Sequence, residues 1–149
     1  MEQFNRYYLD LLKNKYAQFD GRATRSEFWY FVLFNLVISI ILGILDGVLG
    51  TNYTYEMATS TIATSSAEMT SVSMTQTIGY LQSFYSLAVL IPSLAVSIRR
   101  LHDTGKSGWW ILLGVIPIIN FIGIFVLLFF YVQDSQAGEN QYGPNPKEI

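Results

Sequence analysis

The sequence predicts an all-α membrane protein, an amphipathic N-terminal helix followed by three transmembrane helices, with a re-entrant or split third segment as the variant. Three observations carry this. The 149 residues are 51% hydrophobic and only 13% charged, about half the roughly 25% of a soluble domain, and the mean hydropathy is +0.32. Long uncharged apolar runs alternate with short polar connectors. The basic residues are also segregated: eight of the nine fall before residue 26 or between 99 and 106, and none lies between Asp46 and Ile98. The absence of cysteine excludes disulfides, thiol catalysis and cysteine metal sites, and the N-terminus lacks a basic-then-apolar pattern, so no cleaved signal is expected.

In residues 1–24, Phe4, Tyr8, Leu11, Leu12, Tyr16 and Phe19 recur at helical spacing, with Glu2, Arg6, Asp10 and Lys13 elsewhere on the wheel. Such a helix lies flat at a headgroup interface or docks on the protein's own cytoplasmic side. Asp20-Gly21 reads as a turn, and Thr24-Arg25-Ser26-Glu27 fits a capping box that starts a helix at about Arg25. The first span, 25–49, opens on the aromatic belt Phe28-Trp29-Tyr30.

Residues 50–77 change character: 13 of the 27 residues from Thr51 to Thr77 are serine or threonine. This composition suggests a flexible outer loop with little to bury. Residues 78–98 form the second span, interrupted by Pro92, and 99–108 a connector. Residues 109–132, with Pro117 inside, are long enough for one tilted crossing of about 36 Å but not two. A polar tail, 133–149, follows. The basic clusters put the N-terminus and connector in the cytoplasm by the positive-inside rule. Three crossings would leave the tail outside; a re-entrant hairpin at Pro117 is the alternative.

Two groups of residues stand out as candidate sites. Arg22, Arg25, Glu27, Arg99, Arg100, His102 and Asp103 are expected to converge in one cytoplasmic-side cluster, since both connectors carry opposite charges beside span ends. Asn35, Pro92 and Pro117 all lie about 10–12 Å deep in upright helices, and with Asn120 they form an intramembrane polar and kink layer. Pro92 and Pro117 free the carbonyls of Ala88 and Leu113, which Asn35 or Asn120 would satisfy as inter-helix glue. His102-Asp103 is a general base with an orienting acid by type, but no nucleophile, metal-ligand set or phosphate loop accompanies it. A structural or ligand-binding role is expected for the pair, with His102 favoured as a cation at a helix C-terminus. No catalytic residue, metal or cofactor is expected.

The residues Phe19-Asp20-Gly21-Arg22-Ala23-Thr24-Arg25-Ser26-Glu27-Phe28-Trp29 resemble a signature of the YhaH-like bacterial inner-membrane proteins, a domain-of-unknown-function family numbered eight-zero-five. Arg99-Arg100-Leu101-His102-Asp103 with Ser107-Gly108-Trp109-Trp110 is similar to a second signature. Gly138 to Pro146, with Asn140, Tyr142, Gly143 and Pro144, is similar to a third. The resemblance implies the architecture and a bacterial plasma-membrane location, and it implies no reaction. The Ser/Thr-rich segment is the departure, reading as an insertion.

Two functions remain open. One is a non-enzymatic scaffold, regulatory or anionic-ligand-binding module whose Arg/His/Asp face meets an anionic headgroup or a partner. The other is a small transporter or channel-like subunit with its path along Asn35, Pro92 and Pro117. The expected partners are the lipid bilayer, anionic headgroups and a second copy or another membrane protein, with no role for nucleic acid.

Overall fold

The computed structural model describes residues 2–63, 69–117 and 119–148. It is mostly helical. A short N-terminal stretch comprises α1 (Glu2–Phe4), a π-helical turn (Asn5–Leu9) and α2 (Asp10–Asn14). Then follow α3 (Arg25–Leu49), the strands β1 (Asn52–Ala63) and β2 (Met69–Gly79), α4 (Tyr80–Asp103), a 3-10 helix (Gly108–Gly114) and α5 (Asn120–Val132). The chain forms two compact units, Met1–Leu36 with Ala88–Ile149, and Val37–Leu87.

Two helices, α3 and α4, have the length and apolarity to cross a membrane, and α5 is a shorter apolar helix. Helix α3 starts where the Thr24 hydroxyl caps it, accepting the Glu27 amide at 3.1 Å. The other half of the expected capping box is absent, because the Glu27 carboxylate is engaged by Arg99. Helix α4 continues five residues past the expected end of the span, so Arg99, Arg100, His102 and Asp103 are helical rather than part of a connector. It closes in a Schellman turn: the Lys106 amide bonds the Leu101 carbonyl at 2.9 Å, the Gly105 amide bonds His102 at 3.0 Å, and Gly105 takes φ 72°.

The expected outer loop differs most. Residues 52–63 and 69–79 pair as an antiparallel ribbon, from Asn52 opposite Gly79 to Ala63 opposite Met69, with an irregularity between Glu56 and Ala58. The physical reason lies in the same composition. The stretch from Thr51 to Ile78 holds no glycine or proline, and its threonines, valine, isoleucines and tyrosines favour extended backbone. Residues 64–68 of the expected loop lie outside the described residues.

Within the Val37–Leu87 unit, the far end of α3 holds the start of α4. Asp46 is fully buried. It accepts the Leu81 amide at 3.1 Å, the Gln82 amide at 3.0 Å and the Thr51 hydroxyl at 2.5 Å. A carboxylate on one helix therefore caps the next, where free amides and the dipole favour negative charge.

The apolar run 109–132 does not form one continuous helix. Pro117 cannot continue a helix ladder, and the backbone turns through residues 115–119, of which Ile118 lies outside the described residues. The 3-10 helix rises about 14 Å at 2.0 Å per residue, and α5 about 20 Å at 1.5 Å per residue; neither matches a core of roughly 30 Å. The two limbs pack closely because α5 carries Gly123, where a Cβ would run into the Leu113 carbonyl. Beside this contact, Leu101, Leu127 and Phe130 form a buried cluster with Ile111, Val126 and Tyr131 against it.

Asp46→Ala is expected to raise hydrogen exchange at the Leu81 and Gln82 amides by about tenfold, the effect of losing a helix cap, with Asp46→Asn intermediate. Gly123→Ala, meeting backbone rather than a movable side chain, should cost about 1–3 kcal/mol in thermal unfolding of the detergent-solubilised protein.

Candidate functional site

The charged residues of the two basic motifs meet the tail at a buried clasp in the Met1–Leu36/Ala88–Ile149 unit. Its centre is Asp103, fully buried in the last turn of α4. One carboxylate oxygen accepts Arg22 Nε at 3.0 Å. The other accepts Arg100 Nη1 and the Ser135 hydroxyl at 2.6 Å. Two guanidinium groups and a hydroxyl thus share one carboxylate away from solvent.

The remaining donors of both arginines go to backbone carbonyls of the tail, of the last turn of α5 and of Asp103 itself. Arg22 donates to Gln136 at 2.5 Å, Gly138 at 2.7 Å, Gly143 at 3.3 Å and the Asp103 carbonyl at 3.4 Å. Arg100 donates to the Tyr131 carbonyl at 3.2 and 3.1 Å and to that of Gln133. Those last carbonyls belong to the end of α5, which has no partners of its own there and carries the negative end of the dipole. The planar, multiply donating guanidinium suits this role in a way that a lysine ammonium does not.

Arg99 stands apart from that centre. It is 2% exposed and donates to Glu27 Oε1 at 2.9 Å, while its Nε and Nη2 are buried without a partner among the described residues. Lys15 is 3.7 Å from the same Glu27 oxygen. The Arg99 carbonyl also receives the Ala23 amide at 3.1 Å, joining the first motif to α4. Arg25 is peripheral: its side chain is 44% exposed, 3.4 Å from the exposed Asp134, and it reaches the Val132 carbonyl at 3.4 Å. Asp134 also takes Lys147, and that ammonium, with the Ser135 amide, holds its carboxyl below the usual carboxylate range.

His102 faces away from Asp103. Its Nδ1 meets the Gly21 carbonyl at 3.3 Å, and its ring stacks on Tyr142 with centroids 3.7 Å apart and planes 3° apart. The acid expected as its orienter is therefore committed to arginines, and a carbonyl orients the ring instead. Asn140 supports the arrangement by donating to the His102 carbonyl at 3.0 Å and accepting the Tyr142 amide at 2.9 Å. Asn140 and Gly143 pair as an isolated bridge, and Gly143 has φ 120°. Pro144, next in the motif, is exposed.

The four residues of the expected intramembrane layer have different surroundings. Asn35 donates to the Phe31 carbonyl at 2.8 Å and lines a cavity of about 170 Å³ with Ser93 and Ser97. Pro92 is buried within α4, and the carbonyl it frees at Ala88 accepts the Tyr16 hydroxyl at 2.5 Å rather than an asparagine. Pro117 is exposed. Asn120 has a buried Oδ1 without a partner among the described residues. Ser135, Gln136, Tyr16 and Asp46 were not singled out by sequence reasoning. Only the carbonyl freed by Pro92 signalled a need, and nothing identified its donor. Among the described residues no group of three or more His, Cys, Asp and Glu could hold a metal.

Two long apolar helices, a shorter third and a buried ionic clasp define a small integral membrane protein. Its residues 16–144 match the family described as protein of unknown function (DUF805), and the chain belongs to that family. It is 39% identical to the inner membrane protein YhaH of Escherichia coli K12 over 141 residues, 95% of this chain and 96% of the relative. It is 38% identical to the inner membrane protein YhaI of the same strain, covering 95% of each chain. These relatives support a bacterial inner-membrane location. No solved structure matches.

Asp103→Ala leaves two buried guanidinium groups without their carboxylate and is expected to destabilise the protein by about 3–5 kcal/mol, read by thermal unfolding in detergent. Arg25→Ala should move the melting temperature by no more than about 2 °C, as for an exposed pair. Arg22→Lys should free the tail, seen as faster proteolysis between residues 133 and 148 with the helical core intact.

Proposed function

We propose that this protein is a non-enzymatic module of the bacterial inner membrane, a scaffold or regulatory unit whose cytoplasmic end is the clasp of Arg22, Arg100 and Asp103 on the tail. The observation that carries the reading is the saturation of that clasp. Its charged groups are buried and spent on one another and on backbone carbonyls, so they form an architectural joint and leave no reactive group poised over a substrate. The inward-turned Arg99 and Arg100 also make poor headgroup ligands. Contact with anionic lipid falls to Arg25, at the mouth of an apolar groove of about 420 Å³ with Ser26, Trp29, Tyr30, Leu33 and Val132. No observation favours a transport path along Asn35, Pro92 and Pro117.

The proposed topology has two full crossings, α3 and α4, and a re-entrant hairpin made by the 3-10 helix and α5. What supports the hairpin over a third crossing is the length of its limbs and the bonding of the tail to Arg22 and Asp103, which brings tail and connector together. Segregation of Lys and Arg supports a cytoplasmic location for the N-terminus, connector and tail. The paired segment 52–79 then lies outside.

Because the chain has no native cysteine, single cysteines read this directly. Ser66→Cys, at a position outside the described residues, should react with an impermeant thiol reagent on whole cells. Ser107→Cys and Ala137→Cys should react only after permeabilisation. Labelling of Ala137→Cys on whole cells would restore a third crossing, and labelling of Ser107→Cys alone would reverse the orientation. Native mass spectrometry of the purified protein should find retained lipid, report the oligomeric state and detect no stoichiometric metal; a metal lost on His102→Gln would replace the scaffold reading with an enzymatic one.

A further inference from the structure

We infer that the cavity beside His102 binds a hydroxyaromatic head group carried on an apolar, membrane-soluble body, the chemistry that a reduced quinone presents. This goes beyond the scaffold reading and does not depend on it. The cavity holds about 360 Å³ and is lined by Ile98, His102, Ser107, Gly108, Trp109, Ile111, Leu112 and Tyr142, within the roughly 300–1,000 Å³ of small-molecule sites. Its walls are mainly aliphatic and aromatic, and no lysine or arginine lines it, so it has no countercharge for a phosphate.

Its polar groups are the Ser107 and Tyr142 hydroxyls, the Trp109 indole N–H and the imidazole, and of these only a neutral imidazole offers an atom that accepts without also donating. A carbonyl oxygen only accepts, so the contact of His102 Nδ1 with Gly21 O at 3.3 Å requires the proton on Nδ1. In the neutral ring that leaves Nε2 as a bare acceptor, and among the described residues it meets no partner. The parallel stack on Tyr142 fixes the plane in which Nε2 accepts. Gly108 keeps the approach open: a Cβ there would sit 2.8 Å from Ile98 Cγ2 and 3.5 Å from Nε2.

A rigid acceptor in an apolar pocket selects a ligand that brings a donor and rejects the same body without one. Tyr142 and Trp109 offer aromatic surface to a planar ring, and Trp109, 78% exposed, belongs to an interfacial tryptophan pair, the side from which a membrane-soluble molecule would reach the site.

His102 is the only histidine in the chain, so 15N-histidine labelling gives a single imidazole spin system to watch in the detergent-solubilised full chain. Adding 2-naphthol should shift the Nε2 resonance saturably, with Nδ1 remaining the protonated nitrogen. 2-Methoxynaphthalene, the same body without the donor, should bind about tenfold more weakly. His102→Phe, which keeps a ring to stack on Tyr142, should bring naphthol binding down to the methoxynaphthalene level, and Gly108→Val should abolish both. A reduced quinone with a short isoprenyl tail should bind more tightly than naphthol; equal or weaker binding would overturn the membrane-borne source. Equal affinity for naphthol and its methyl ether, an Nε2 resonance unmoved by naphthol, or a proton found on Nε2 in the free protein would each overturn the site. A response to dioleoylglycerol but not to naphthol would overturn the aromatic head group. The wild-type comparisons decide the matter even where a variant fails to fold.

Discussion

The packing of the first motif, α4 and the tail depends on the Asp103 carboxylate. Moving two guanidinium groups out of water costs several kcal/mol each, and attraction to a counter-ion offsets this only where geometry is good and the other donors are satisfied. Asp103 supplies the counter-charge, its two oxygens taking Arg22, Arg100 and Ser135. The surplus positive charge of two cations on one anion is spread over carbonyls of Tyr131, Gln133, Gln136, Gly138 and Gly143. Remove the carboxylate, and those carbonyls alone do not neutralise two charges. The close approach of the first motif, α4 and the tail follows from this one acid.

A second regularity concerns helix ends. Exposed backbone amides and carbonyls are costly wherever water is scarce, and here two of the ends are satisfied by charged side chains from other helices. Asp46 on α3 caps the first amides of α4, and Arg100 on α4 caps the last carbonyls of α5. Each sign of charge meets the end of the dipole that favours it. The hydroxyl of Tyr16 does the same inside α4, filling the acceptor that Pro92 leaves open at Ala88.

Much of this was legible in local patterns. Thr24 three residues before Glu27 marked the start of α3, and unbroken apolarity marked α3 and α4. Failures arose where a local pattern had two physical outcomes. Serine and threonine at 50–77 suggested a loop by polarity, whereas the lack of breakers from Thr51 to Ile78 and the β-branched threonines favour a ribbon. The run 109–132 was long enough to cross but contained Pro117, so one span and a split or re-entrant segment both stayed open, and the structure breaks the run into a 3-10 helix and α5. Glu27 could complete its cap or pair with a cation, and Arg99, 72 residues away, decided it. The tail partners Ser135 and Gln136 were invisible because their role is to offer a hydroxyl and a backbone carbonyl, groups whose use no residue type announces.

The sequence separation of the clasp also orders its assembly. Arg22 emerges early in synthesis, yet its acceptors at Gln136, Gly138 and Gly143 lie 114, 116 and 121 residues downstream. Until they arrive, Arg22 has Asp103 at most, and Arg100 lacks the carbonyls of Tyr131 and Gln133. A nascent chain halted before residue 133 therefore carries unsatisfied cations that resist burial, holding its first motif and the end of α4 in the aqueous layer. Closure of the joint therefore waits on residues 131–143, the last of its parts to be made.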